Sequence, residues 1–437
     1  MPLIPFARQS KKAGYSGERL KNLFLRPSDE QTPLIGRSGL KAAFSLTGAV
    51  RAIVDQNGTG FAVSGGAVYK IASGVATNVG TVDDAPTQMA VSATEVAIVA
   101  NGKYYICDGT TTTEYTTGAV TNPVGVAFID GYFVVAGTSG GRGDAITVSG
   151  LDDGTTFDAL DFAFAENSPD DIVSIIEDHN ELWLFGSSTV EVWYNAGASG
   201  FPFARSQGRT LERGCTANTA SKEDNGVFWI GADLRAYRSG GSTPQVISTR
   251  EVEEVIEAGS LDTSFIADIR GHKFFVVRFK DQPAQAYDLT TQLWCEFSTG
   301  IGEGPWIGCC SGRVGSAFYV GTSSGVIATL DKDTYQDLGA YIEAEAVSVP
   351  ISEADYVTIN KVHMNIEAGD VNAQGEVMLQ VSKDGRTWGV ERWRKLGKLG
   401  QFWRRVVWHS LGTGRRMQIR VRITDPVGRD IYGLTYE

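Results

Sequence analysis

Phe61-Ala-Val-Ser-Gly-Gly-Ala-Val-Tyr69 is a β-branched and aromatic run, a glycine pair, and a second run ending on an aromatic. That order spells two strands joined by a tight hairpin, with glycine at the positions that need positive φ. It returns as Ala97-Ile-Val-Ala-Asn-Gly-Lys-Tyr-Tyr105 and as Phe133-Val-Val-Ala-Gly137. Later copies are Trp183-Leu-Phe-Gly186 with Trp193, Phe228-Trp-Ile-Gly231 with Tyr237, and Phe274-Phe-Val-Val277 with Tyr287. The last is Phe318-Tyr-Val-Gly321 followed by Gly325-Val-Ile327. Successive first runs lie 36, 36, 50, 45, 46 and 44 residues apart.

A two-strand unit cannot bury both its faces alone, so such units must stack on one another. A period near 45 residues with two strongly patterned strands fits a four-stranded propeller blade whose other strands are weakly patterned. The spacing therefore predicts an all-β chain with a β-propeller of six or seven blades over 45–340. Asn101-Gly102, Asp130-Gly131 and Asn225-Gly226 are its turn signals. Residues 1–44 are basic and aperiodic, an N-terminal extended arm. Over 341–437 the pattern changes: Val357–Glu367, Glu376–Ser382, Trp403–Leu411 and Met417–Thr424 alternate between Gly/Asp turns, as in a C-terminal antiparallel β-sandwich-like domain. One helix is expected, over 250–258, with Val252, Val255 and Ile256 on one face.

The composition agrees. The chain has 437 residues, 52 of them glycine without a G-X-Y period, and 42% hydrophobic residues, enough for a large core. No apolar run is long enough for a membrane helix, and the start lacks a secretory signal pattern, so no stable membrane anchor is expected. Five cysteines with no C-x-x-C, two of them adjacent, suit reduced core thiols made in a reducing cytoplasm. The four histidines have no ligand-spaced mates. Neither a metal site nor a cofactor is expected.

The net charge of −12 hides three blocks. Residues 1–50 hold eight Lys/Arg against three acids, and 151–200 hold eleven acids and no Lys/Arg. From Lys383 to Arg422 there are twelve Lys/Arg and two acids. Alternating blocks point to separate partner surfaces. The last block interleaves cations with tryptophan. Arg392, Trp393, Arg394, Arg404, Arg405, Arg415 and Arg416 are candidates for docking an acidic partner, with DNA phosphate contact or a plain solvated face as alternatives.

Catalytic motifs are missing. No phosphate loop, zinc-protease helix or nucleophile elbow occurs. Ser382-Lys-Asp384-Gly385-Arg-Thr387-Trp388 resembles the Asp box of sialidases, one residue short, with a sister at Asp153-Gly154-Thr-Thr156-Phe157. That box is a hairpin device and brings no arginine cluster or nucleophile with it. A glycan-binding or glycan-cleaving propeller is the alternative reading; a non-enzyme is the expectation.

Several stretches resemble the packaged-DNA stabilisation proteins, or tail hub (nozzle) proteins, of short-tailed bacteriophages. They are Asp152-Asp-Gly-Thr-Thr-Phe-Asp-Ala-Leu-Asp-Phe162, Ala165-Glu-Asn-Ser-Pro-Asp-Asp171, Glu181-Leu-Trp-Leu-Phe-Gly186 and Thr189-Val-Glu-Val-Trp-Tyr-Asn195. Phe201-Pro-Phe203, Leu211-Glu-Arg-Gly-Cys215, Val227-Phe-Trp-Ile-Gly231 and Pro244-Gln-Val-Ile-Ser-Thr249 continue the match. The resemblance implies a structural virion protein that forms a ring, a homohexamer, below the portal and its adaptor. It would continue the channel for packaged double-stranded DNA, retain that DNA, take part in genome ejection and meet tail fibre or spike proteins. Such a protein assembles in the host cytoplasm and resides in the virion tail. A channel wall should hold phosphates weakly so that a duplex can move. On that ground Asp152, Asp153, Asp158, Asp161, Asp170 and Asp171 are the DNA-channel candidates.

Overall fold

The structure is a computed structural model that describes residues 18–27, 32–165, 170–223, 226–240, 243–351, 356–367, 374–398 and 400–437. It is almost wholly β, and Arg250–Ala258 is the α-helix among the described residues. Thr249 caps that helix, and Val252 and Ile256 are its buried residues. The chain forms two compact units. A propeller unit holds Ala42–Ala267 and Gly308–Thr329; a sandwich unit holds Met1–Lys41, Asp268–Ile307 and Leu330–Glu437.

In the propeller unit, five up-and-down sheets follow one another. Blade one is Val50–Gln56, Thr59–Ser64, Ala67–Ala72 and Val75–Thr81. Blade two is Thr87–Val91, Val96–Ala100, Lys103–Cys107 and Thr112–Tyr115. Blade three is Asn122–Ile129, Tyr132–Ser139, Arg142–Gly150 and Asp153–Phe164. Blade four is Ile172–Asp178, Glu181–Gly186, Val190–Asn195 and Phe203–Leu211. Blade five is Ser221–Glu223, Gly226–Ile230, Ala236–Gly240 and Thr243–Val246. A sixth quartet has the same order: Leu261–Ile269, His272–Phe279, Ala284–Asp288 and Leu293–Phe297, the chain passing from one unit to the other within its first strand. The seventh is Gly308–Val314, Ala317–Thr322 and Val326–Asp331, completed by Gly39–Ser45 from the start of the chain. Among the described residues, these strands make seven quartets.

The landmark runs of the sequence are the middle two strands of each quartet. Thr59–Ser64, Val96–Ala100, Glu181–Gly186 and Gly226–Ile230 are buried almost throughout because blades cover both their faces. The outer strand Val75–Thr81 is mostly exposed, which removes its pattern. Separate apolar cores join blades one and two around Phe61, Ile98 and Tyr105, blades two and three around Tyr104 and Phe133, and blades three and four around Ile146 and Leu184. Blades four and five share Trp183, Phe185 and Trp229. Blades one and seven share Val50, Ile53, Cys310 and Ile327. The first strand of the sixth quartet closes the ring: Ser264 Oγ donates to Thr219 O at 2.6 Å, and Ser311 Oγ donates to Ile266 O. The hairpin pairs Asn101-Gly102 and Asp130-Gly131 have positive φ at both residues. Asn225 lies outside the described residues.

In the sandwich unit, Arg19–Lys21 pairs in parallel with Leu293–Phe297 and antiparallel with Ala344–Val347. The sheet continues through Gln418–Ile423 and Glu376–Ser382 to Arg392–Lys395. The second sheet runs Leu23–Leu25, Leu34–Gly36, Asp430–Tyr436, Val357–Glu367 and Trp403–Gly414. Val362, Met364, Ile366, Val406 and Trp408 alternate inward and are buried, as are Val377, Leu379, Ile419 and Val421. The extended N-terminal segment is therefore part of the sheets from residue 19, contributing strands to both of them.

Candidate functional site

The acidic candidates lie in the propeller unit. Asp152 occupies a turn at φ 52°, its N–H donating to Gly131 O. Asp153 is committed to its own hairpin: it accepts from Thr155 N at 2.9 Å, Thr155 Oγ1 at 2.6 Å and Thr156 Oγ1 at 2.9 Å. Those bonds hold its carboxyl below the ordinary range, the Thr155 hydroxyl first. Asp170 likewise accepts from Ser188 N, Thr189 N and Thr189 Oγ1, shaping the loop before Val190–Asn195. Asp171 is exposed, and its carbonyl accepts from Ser187 N.

Asp158 and Asp161 differ from these. In the pairing of Arg142–Gly150 with Asp153–Phe164, Thr147 faces Phe162 but Ser149 faces Phe157. One residue on one strand is thus opposed by four on the other, and Asp158-Ala159-Leu160-Asp161 is looped out as a wide bulge. Its geometry is fixed from within: Leu160 N donates to Asp158 Oδ1 at 2.9 Å, and Thr147 Oγ1 donates to Asp161 O at 3.1 Å. The sequence shows no sign of this bulge, because its residues continue the strand pattern.

The Asp-x-x-Thr device recurs. Asp108 holds Thr110 and Thr111, Asp288 holds Thr290 and Thr291, Asp331 holds Asp333 and Thr334, and Asp384 holds Arg386 and Thr387. The two Asp-box-like segments are members of this set. Their carboxylates point into their own turns, which suits a fold device rather than sugar chemistry.

The basic candidates lie in the sandwich unit: on Arg392–Lys395 at the edge of the first sheet, on Trp403–Gly414 at the edge of the second, and, for Arg415 and Arg416, just after that strand. Arg392 Nη1 donates to His409 O at 2.9 Å, and Arg394 Nε to Val407 O at 3.3 Å. Arg405 donates to His363 Nδ1 at 2.9 Å, so the ring's other nitrogen faces Glu437 as a donor at 3.1 Å. Trp393 is 48% exposed, and Arg404 is also exposed. Arg415 sits over the Tyr356 ring, and Arg416 is exposed near Gly385.

Arg19, Lys21 and Arg37 of the N-terminal block and Arg420 and Arg422 of the C-terminal block are instead paired within the sandwich unit. A ladder of alternating sign crosses the first sandwich sheet. Arg19 pairs with Glu296, Glu303 and Glu345, while Lys21, 1% exposed, meets Glu343 at 2.8 Å. Arg422 pairs with Glu343 and Glu391. Burial would lower the Arg19 pKa, but Glu303 and Glu296 hold it above the ordinary value. The same contact draws Glu303 down to about 2. Arg37 and Asp337 form a fully buried bidentate pair at 3.1 and 2.7 Å. Arg429 is buried against the carbonyls of Ile342 and Tyr335, and burial lowers it to about 10. One local signal was available: charges at i and i+2 in Arg19-Leu-Lys21, Glu343-Ala-Glu345 and Arg420-Val-Arg422 place like charges on one strand face.

The inner strands of blades two to five border a cavity of about 310 Å3 lined by Gln88, Met89, Glu177 and Lys222 among others. Gln88 Nε2 donates across it to Ile175 O, and Lys222 meets Glu177 at 2.5 Å. That space admits on the order of ten waters, not a duplex. Among the described residues no cluster of His, Cys, Asp or Glu could hold a metal, and no helix is long and apolar enough to cross a membrane.

Two family models match the chain. One, described as bacteriophage P22 Gp10, beta-propeller, covers residues 1–335; the other, bacteriophage P22 Gp10, beta-sandwich, covers 349–437. No curated protein matches. Among solved structures, U3-55K aligns at 11% identity over 68% of this chain and 100% of that one, with a TM-score of 0.48. The WD40 propeller domain of Doa1 aligns at 11% over 66% and 96%, TM-score 0.42. PorZ of Porphyromonas gingivalis aligns at 13% over 79% and 45%, TM-score 0.42. Likenesses of that size carry no functional weight.

Proposed function

Because the chain belongs to the bacteriophage P22 Gp10 family, and is therefore a structural tail protein of a phage virion, we propose that it builds the nozzle of a short tail. Copies form a ring, a hexamer, below the portal and its adaptor. The passage framed by the ring continues the DNA channel, retains the packaged duplex and opens at ejection. The observation carrying this reading is the match of both domains, which together span nearly the whole chain.

The geometry supports the same reading. The cavity bordered by Gln88, Glu177 and Lys222 is about 310 Å3, far too small for a duplex, so a duplex would pass between copies rather than through one. The acid-rich outer strand of blade three would repel phosphates and let DNA slide. The exposed arginines and tryptophans of the sandwich unit suit docking to adaptor, fibre or spike proteins. No reaction is assigned.

Particles produced without this chain test the proposal. They should package DNA and then lose it, and a reconstruction of complete tails should show the chain as a ring on the portal axis. Particles that keep their genome and infect normally without it would overturn the nozzle role.

A further inference from the structure

We propose that Cys309 and Cys310 are a reversible oxidation site: these adjacent thiols of blade seven close into a vicinal disulfide when the chain meets a low-molecular-weight disulfide. The assignment stands apart from the nozzle reading and does not depend on it.

Neighbours on a regular strand point to opposite faces, which keeps the sulfurs of adjacent cysteines apart. A bulge removes that separation here. In the pairing of Gly308–Val314 with Ala317–Thr322, Gly308 faces Thr322 and Cys310 faces Gly321, so Cys309 is an extra residue on its strand. Both thiols then turn towards blade one. Cys309 Sγ donates to Val50 O at 3.0 Å, and Cys310 Sγ donates to the same oxygen at 3.6 Å. Cys309 Sγ also reaches Gly321 O at 3.4 Å. Gly321 makes the room for this convergence, since a Cβ there would stand 2.5 Å from Cys310 Sγ.

The two sulfurs differ in access. The same first-strand bulge recurs in blades one, three and four at Arg51, Val124 and Val173, each of them at least partly exposed. Cys309 follows that pattern and is half-buried, whereas Cys310 is 8% exposed and packs with Val50, Ile53 and Ile327. A reachable thiol with a sheltered one behind it is the arrangement of an attacking and a resolving cysteine.

The chemistry balances without a metal. The Cys309 thiolate attacks one sulfur of a disulfide RS–SR, forms the mixed disulfide Cys309–S–SR and expels one RS−. Cys310, after losing its proton to solvent, attacks the Cys309 sulfur, forms the intrachain bond and expels the second RS−. The chain gives up two electrons and two protons, and the oxidant is reduced to two thiols. Adjacent Cα atoms are about 3.8 Å apart, closer than the spacing disulfides usually span, so this bond is strained and readily reduced again. Its closure withdraws both thiol donors from Val50 O, in the core that blades one and seven share.

Full-length chain, first reduced and then equilibrated with glutathione disulfide while folded, tests this. After acid quenching and unfolding, the wild type should show two fewer reactive thiols than the five of the reduced chain, with no glutathione retained. Peptide mapping should place the link between Cys309 and Cys310, and dithiothreitol should restore all five thiols. Cys310→Ser cannot resolve the intermediate and should retain one glutathione, on residue 309. Cys309→Ser should keep every thiol it has. Five thiols in the oxidised wild type, glutathione left on its Cys309, a link that involves Cys107, Cys215 or Cys295, or a link between chains overturns the proposal. The wild-type mapping decides the matter even where a serine variant fails to fold, and none of these outcomes touches the nozzle reading.

Discussion

Replacing Arg37 by methionine should destabilise the sandwich unit by about 4 kcal/mol, the middle of the range for removing one partner of a buried ion pair. The guanidinium makes five hydrogen bonds. Nε reaches Asn22 Oδ1 at 3.0 Å, Nη1 reaches Ser38 O at 3.0 Å and Asp337 Oδ1 at 3.1 Å, and Nη2 reaches Ser298 O at 3.1 Å and Asp337 Oδ2 at 2.7 Å. It also lies over the rings of Phe297 and Trp306. Methionine preserves much of that packing, so the loss is electrostatic. Asp337 would stay buried with only Leu40 N and the Thr299 hydroxyl as donors. Urea unfolding followed by tryptophan fluorescence reads the effect, because six of the nine tryptophans (294, 306, 388, 393, 403 and 408) belong to this unit. With a slope of about 3 kcal/mol per molar, the midpoint should fall by about 1.3 M. Arg37→Met with Asp337→Asn should cost clearly less than the sum of the single changes, since the second removes the stranded charge. A single-variant loss under about 1 kcal/mol, or strict additivity, would refute the view that this pair pins the N-terminal segment.

Stability should fall as pH rises through neutrality. Burial lifts Glu18 to about 7 and raises Glu345 as well, so the folded chain holds protons that the unfolded chain has released. Their contribution is complete below about pH 4.5 and lost as pH climbs through the raised Glu18 value; Glu18→Gln should flatten melting temperatures between pH 5 and 8. Glu303, drawn down to about 2 by Arg19, works in the opposite sense and weakens the fold as pH drops from about 4.5 towards that value. A Cβ on Gly312 would stand 2.5 Å from Ile53 O, so Gly312→Ala should cost about 1–3 kcal/mol at the seam of blades one and seven; an unchanged melt would contradict that packing. Thiol titration of the native chain should find at most one slowly reacting cysteine, the half-buried Cys309, and five after unfolding. Burial raises Cys215 to about 12 and lifts Cys295 well above the ordinary thiol value, and Cys107 and Cys310 are covered.

The propeller was legible because its evidence is local. Strands such as Glu181–Gly186, covered on both faces, write themselves as continuous apolar runs, and each run lies beside its own glycine turn. The inner and outer strands escaped notice for the converse reason, as the mostly exposed Val75–Thr81 illustrates. The partners of the N-terminal segment were not legible, because they stand far along the chain. Arg19 meets Glu296 and Glu345 across 277 and 326 residues. Alternation shows that Arg19 and Lys21 share a strand face; nothing in it says which carboxylates that face will meet.

This long-range pairing alters what the charge blocks mean. Arg19, Lys21, Arg37, Arg420 and Arg422 stand against Glu296, Glu303, Glu343, Glu345 and Asp337 within one unit. Equal numbers of each sign are removed from partner recognition, so the total of −12 is untouched. The distribution is what changes. The N-terminal segment loses part of its apparent basicity to internal pairs, while Arg392, Arg394, Arg404, Arg405, Arg415 and Arg416 stay exposed on the sandwich unit. Asp153, Asp158 and Asp170 have their carboxylates engaged in their own turns and loops, so acidic residues on this stretch serve the fold as well as any partner.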